Sequence, residues 1–195
     1  MDRPERGDQA GMKPSDAVQM WKKSLEPLRA KWGVRLGSPA ISSAPSGKAW
    51  LEEFWGICGL NSTTSTPGCE VDFVAARTSS TSSQSSRLMF KMAAIDWYGT
   101  NASYFKSYVK DLHSTFGKPI WITEWACHDF VQNRPCSKPE TLRFLNETKG
   151  YLDSNVDGAE FVERYAWFGA MREGNMEGIL KVRNGHFIEC LFWLI

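Results

Sequence analysis

Histidine is scarce in this sequence, with three residues in 195. The five cysteines show no paired Cys-x-x-Cys spacing, so the usual structural zinc arrangement is excluded. Neither sign of charge is in excess: 23 Lys and Arg face 22 Asp and Glu, a formal net charge of +1. That balance argues against a nucleic-acid or anionic-membrane partner, either of which needs a basic patch. No apolar run is long enough to span a bilayer. The opening MDRPERGDQAG is polar and charged, without the apolar stretch of a secretory signal. The expected partners therefore include no nucleic acid and no membrane. No cofactor or metal is expected, and the chain is expected to act as a monomer.

Tryptophan is abundant, at nine residues. Two readings stay open: a Trp-rich core, or a sugar cleft in which flat rings stack on the apolar faces of pyranoses. The cysteines offer a second positive signal. Cys58 with Cys69, and Cys127 with Cys136, each close a short polar stretch, the way disulfides staple loops of secreted proteins. Cys190 is expected to be unpaired. Glycosylation sequons at Asn61, Asn101 and Asn146 also point outward. An extracellular or cell-wall parent protein is expected, and the missing signal is reconciled if its true N-terminus lies upstream. A metal site from Cys127, His128, Asp129 and Cys136, with His113, is the lesser alternative.

Apolar spacing predicts a helix capped by Ser15, with Val18, Trp21, Leu25, Leu28 and Trp32 on one face, a kink at Pro27 and a stop at Gly33. A strand-like VRLGSPA comes next, then a helix over 48–55. VDFVA (71–75) and IDWYG (95–99) read as strand pieces. Asn101 caps a helix with Tyr104, Phe105, Tyr108, Val109 and Leu112 inward, ended by Gly117. PIWITEWA is a buried strand by its β-branched and aromatic content. Ser137 and Glu140 form a capping box for a helix bearing Leu142, Leu145 and Leu152. RYAWFGAM (164–171) is the last strand. Alternating buried strands and amphipathic helices imply an α/β fold with a parallel sheet. Four strands amount to half of an eightfold barrel. Residues 76–94 interrupt what otherwise reads as one strand. They and the apolar tail 179–195 read either as a variable loop and a C-terminal strand or, preferably, as translated intron or frameshifted sequence, leaving 1–178 as the domain proper.

Glu124 lies near the end of the buried strand PIWITEWA. A carboxylate there is costly unless it is paired or catalytic. In a barrel, strand C-terminal ends face the active site. The bland alternative is an ion pair with an arginine of a neighbouring strand, such as Arg164. GKPIWITEWACHDF, taken with VDFVA, IDWYG, WLEEFWGICG, RLGSPA and RYAWFGAM, resembles the fungal glycosyl hydrolase catalytic core family, glycoside hydrolase family 128. The resemblance spans roughly residues 8–172 outside the 76–94 segment. It implies a (β/α)8 barrel represented here by strands five to eight, acting on fungal cell-wall β-1,3-glucan with retention of configuration.

Trp121 and Trp125 flank Glu124 in the strand, as expected for a sugar-lined cleft. On the resemblance Glu124 is the nucleophile, Trp97, Tyr98 and Trp167 contact substrate, Ser38 lines the cleft, and Asp96 is a hydrogen-bonding cleft residue where many relatives carry His. Retention requires a second carboxyl group about 5–5.5 Å away. The family carries it in an Asn-Glu-Pro motif. Pro4 matches that proline, which puts Asp2 at the asparagine and Arg3 at the glutamate. Glu5 follows the proline and does not replace the acid. The chain as written is therefore expected to fold poorly, with open sheet edges, and not to hydrolyse glucan. The competing reading is a non-catalytic glucan-binding or cell-wall protein.

Overall fold

The computed structural model describes residues 3–60, 68–76, 97–129, 132–154 and 159–168. Its first helical stretch has three parts: α1 (Pro14–Met20), a π turn over Trp21–Leu25, and α2 (Glu26–Trp32). The N-cap is Lys13, with Pro14 at the first helical position, so Ser15 lies inside the helix and does not cap it. The π turn stands just ahead of Pro27. That proline has no N–H to return to the preceding turn, and the helix widens so that the Glu26 N–H reaches the carbonyl of Trp21. The wider turn rotates α2 relative to α1. Val18 and Trp21 stay buried, while Leu28 is 46% and Trp32 66% exposed, against the single apolar face expected. Gly33 ends α2 at φ +65°, with its N–H on the Arg29 carbonyl.

α3 (Pro45–Ile57) buries Trp50, Leu51, Phe54 and Trp55. Phe54 lies edge-on to Trp21 at 5.6 Å between ring centroids, which ties α3 to the first helical stretch. α4 (Ala102–Phe116) starts at Asn101, whose side chain accepts from the N–H groups of Ser103 and Tyr104. Phe105, Tyr108, Val109 and Leu112 are buried, but Tyr104 is 47% exposed and faces outward. α5 (Lys138–Asp153) has the expected Ser137–Glu140 capping box and buries Phe144, Leu145 and Leu152. No helix among the described residues is long and apolar enough to cross a membrane.

The sheet centres on β3 (Ile120–Ala126). β1 (Val74–Ala76) and β2 (Trp97–Tyr98) both run parallel to it, Val74 opposite Ile120 and Trp97 opposite Trp125. β6 (Val162–Trp167) also runs parallel to β3 and pairs along the whole stretch from Ile120 to Trp125. β1 and β2 must therefore share the other edge of β3, lying in line. Residues 77–96, between them, lie outside the described set. Beyond β1, Gly37 bridges Phe73 in parallel, and Ser38 N–H donates to the Phe73 carbonyl at 2.8 Å. A Cβ at Gly37 would sit 2.3 Å from the Phe73 ring, so only glycine allows this close approach. The spatial order follows the chain order, with α3 ahead of β1, α4 between β2 and β3, and α5 between β3 and β6: an α/β fold.

β3 is not regular. Between Ile122 and Trp125 it advances three residues, while β6 advances only from Tyr165 to Trp167. One extra residue is thus accommodated at Thr123–Glu124, a β-bulge. Ile120 and Ile122 are buried, and so is Trp125, despite its opposite parity in the sequence. Trp125 packs on Phe105 of α4 and Phe144 of α5 at 5.7 and 6.2 Å, so these three residues face the helices.

Candidate active site

The bulge decides what Glu124 can do. In an unbroken strand it would share the helix side with Ile120 and Ile122. With the extra residue, Trp125 takes the helix side and Glu124 remains only partly buried, its side chain 12% exposed. It lies near the C-terminal end of a parallel strand, the end at which α/β sheets present their ligand sites. Arg3 reaches it from the start of the chain, Nη2 to Oε2 at 4.0 Å. The Arg3 backbone takes the left-handed region at φ +40° and its N–H donates to the Ala40 carbonyl at 2.8 Å. Two residues on, Glu5 Oε1 accepts from the Ser42 N–H at 2.9 Å, while its Oε2 is buried without a hydrogen-bond partner. Residues 3–5 therefore lie alongside 40–42, and Arg3, not Arg164, is the arginine set against Glu124. Arg164 stands over the Trp121 ring at 4.8 Å.

The residues expected to line a cleft separate into two groups. Tyr98 is half-buried and meets the rings of His128 and Phe168 edge-to-face, at 6.4 and 6.0 Å. Trp125 and Trp167, expected in the cleft, are instead buried in the layer between sheet and helices, 4.5 Å apart and against Phe144. Their indole N–H groups are buried without hydrogen-bond partners. Trp97 packs on Phe105 and Tyr108 of α4, again on the helix side. Ser38 is buried too: its hydroxyl accepts from the Ala75 N–H at 3.0 Å and donates to the Pro39 carbonyl at 3.1 Å. It stitches neighbouring strands together. Asp96 lies outside the described residues, as do Asn61 and Cys190. Asn101 spends its side-chain oxygen on the α4 cap, and Asn146 is exposed on α5.

Both expected disulfides form, Cys58–Cys69 and Cys127–Cys136. The second removes the metal alternative, because neither of its sulfurs is left as a thiolate ligand. It closes a hairpin of β4 (His128–Asp129) and β5 (Arg134–Pro135). His113, also named for that alternative, stacks on Phe161 at 4.1 Å, away from the hairpin.

A second cluster, which sequence reasoning missed, lies around Trp121 near the start of β3. Phe73 and Trp121 stack at 3.7 Å, Arg35 stands over both rings, and Glu163 accepts from Arg35 and from the Trp121 indole at 2.8 Å. The hydrogen bonds from Arg35 and then from Trp121 hold the Glu163 carboxyl below the ordinary carboxylate range. No short motif signals this cluster, since its members come from four separate segments.

Comparison with known proteins agrees with this architecture. A family model described as the glycosyl hydrolase catalytic core matches residues 1–191. Alkali-sensitive linkage protein 1 of Schizosaccharomyces pombe is 30% identical over 175 residues, covering 87% of this chain and 27% of that protein. A GH128 subgroup III curdlan-specific exo-β-1,3-glucanase from Blastomyces gilchristii, solved with glucose, is 28% identical with a TM-score of 0.61. A GH128 subgroup I endo-β-1,3-glucanase from Amycolatopsis mediterranei, solved with laminaritriose, is 27% identical, also with a TM-score of 0.61. Each of these structures covers 86% of this chain, whereas the chain spans 59% of theirs. A family match over nearly the whole chain, on a sheet whose Glu-bearing strand ends at an aromatic rim, makes this protein a member of the glycosyl hydrolase catalytic core family, of the GH128 type.

Proposed function

We propose that this chain carries the nucleophile side of a retaining β-1,3-glucan-cleaving site, built on strands five to eight of a (β/α)8 barrel. The observation that carries the reading is the bulge at Thr123–Glu124, which separates Glu124 from the helix-facing residues of its own strand. Parallel strands in chain order support the barrel, and the glucanases at 27% and 28% identity support β-1,3-glucan as the substrate class.

In the retaining reaction one Glu124 oxygen attacks the anomeric carbon as the glycosidic C–O bond breaks. The leaving oxygen takes a proton from a second carboxyl group. That group then removes a proton from water, which cleaves the glycosyl ester and regenerates Glu124. Tyr98 stands beside this face and contacts the sugar.

Arg3 favours a second reading for the chain as it stands. It occupies the place that the family resemblance gives to the acid, and it lies 4.0 Å from Glu124. A guanidinium offers only N–H donors and no acceptor, so it does not replace a carboxyl group that must both give a proton to a leaving oxygen and take one from water. The chain then binds glucan without turning it over. The two disulfides support an extracellular or cell-wall location.

Titration of the 195-residue chain with laminarihexaose, with products followed by chromatography, tests both readings. Binding without product is the expected result. Steady release of shorter oligosaccharides overturns the non-catalytic reading, and absence of binding by folded protein sinks the glucan reading altogether. In a longer chain that supplies the acid carboxyl, Glu124→Gln is expected to abolish turnover.

A further inference from the structure

Resting on the glucan reading, we propose that His128 and Phe168 are specificity residues, joining Tyr98 in an aromatic wall that takes a glucosyl unit of the chain seated at Glu124. The three rings come from separate segments: Tyr98 from β2, His128 from the hairpin after β3, and Phe168 from the residue after β6. They meet near the C-terminal ends of adjacent parallel strands, where α/β sheets present ligand sites. Tyr98 pairs with Ala126, two residues past Glu124, so the wall lies next to the carboxylate. Phe168 is fixed there by its N–H, which donates to the Trp125 carbonyl at 3.0 Å.

Exposure sets these rings apart from Trp125 and Trp167, the buried aromatics of the same strand ends. Trp125 and Trp167 are 1% and 6% exposed, yet Tyr98, His128 and Phe168 all remain half-buried. A half-open group of aromatic rings with polar atoms at its edge suits a pyranose, which has apolar faces and a hydroxyl rim. Tyr98 and His128 supply the polar atoms.

The hairpin that carries His128 is held more firmly than a surface turn requires. The Cys127–Cys136 disulfide closes its base. Arg134 makes two hydrogen bonds to Glu140, at 2.8 and 2.9 Å, and approaches Asp129 at 3.3 Å. Glu140 is also the capping-box residue of α5, accepting from the Ser137 N–H at 2.7 Å. His128 is thereby tied to the start of a long helix and presented in one place. Such preorganisation lowers the ordering cost of binding. Arg134 is a positioning residue here, acting through the hairpin.

The test is isothermal titration of the full chain with laminarihexaose for wild type, His128→Ala, Phe168→Ala, and Tyr104→Ala as an exposed aromatic control. Both wall variants are expected to bind about tenfold more weakly or worse, with thermal melts like wild type. Phe168→Tyr and His128→Gln should recover most of the affinity, and Tyr104→Ala should leave it unchanged. Arg134→Lys, which removes the two-pronged contact while keeping the charge, should give an intermediate loss. If wild type binds and both wall variants bind equally well, the wall is disproved and the glucan reading stands. If either loses affinity only in step with its melting temperature, the role is structural and the proposal fails. If folded wild type does not bind, the glucan reading fails and the wall falls with it.

Discussion

On its helix side β3 presents Ile120, Ile122 and Trp125, each no more than 1% exposed. Of its other residues, Trp121, Thr123 and Glu124 are part-exposed, and Ala126 is buried at the strand end. The first set belongs to the core, with Trp125 against the rings of Phe105 and Phe144, and its worth is the water it excludes. The second set keeps polar neighbours: Glu163 on the Trp121 indole and Arg3 near the Glu124 carboxylate. One strand thus serves as a wall of the core on one side and carries a part-exposed carboxylate on the other. The single-residue bulge is what lets Glu124 and Trp125 part company. The difference teaches that a Trp beside a carboxylate in sequence need not be beside it in space.

The largest effect should come from the helix side. Trp125→Ala removes a buried indole from the layer shared with Phe105, Phe144 and Trp167, and should cost about 3–5 kcal/mol of stability in urea unfolding. Glu124→Gln, one residue away, should leave the unfolding midpoint close to wild type. If the two variants were equally destabilised, the division between the faces would be broken.

A second prediction concerns acid. Glu140 is held well below its ordinary value of 4.5 by the side-chain hydrogen bond from Arg134, then by those from the Ser137 side chain and backbone. A carboxylate with a lowered folded value stabilises the protein above the ordinary carboxylate range, and the contribution is lost as pH falls below that range. Melting temperature measured from pH 6 down to strongly acidic solution should therefore fall less steeply for Glu140→Gln than for wild type. An identical acid limb would mean that the hairpin-to-α5 link adds no stability in solution.

A smaller effect is expected from deleting residues 76–94. Without them, Ile95 follows Ala75, and Trp97 lies two residues beyond Ile95. β6 makes the same two-residue advance past the bulge of β3. The shortened chain should therefore keep the sheet register and melt within a few degrees of the full chain. Loss of cooperative melting would show that the segment is part of the strand. The smallest effect belongs to Trp32→Gln. At 66% exposure beyond the π turn, Trp32 should alter stability by no more than about 0.5 kcal/mol.

Much of this is legible in the residues. Helix starts and stops at Asn101, Gly117, Ser137 and Gly33 arise from capping chemistry, which is local. The two disulfides arise from short polar loops between cysteines. The bulge is not legible, because register exists only between strands, and the residues alone therefore put Trp125 in the cleft. The π turn escapes for a similar reason: Pro27 announces a break in the ladder but not how the helix will absorb it. Ser38 gives no hint that the Ala75 N–H, 37 positions away, claims its hydroxyl. The Arg3 contact to Glu124 spans more than a hundred residues, and only the resemblance puts the start of the chain near Glu124.

The measurement that tests the central claim most directly is hydrogen–deuterium exchange of the full chain with and without laminarihexaose. Slowed exchange is expected in segments 97–99, 123–129 and 3–6, with the helix amides of α3 and α4 unchanged. Protection confined to the outer helices, or no change while the oligosaccharide is bound, would contradict the placing of glucan at Glu124.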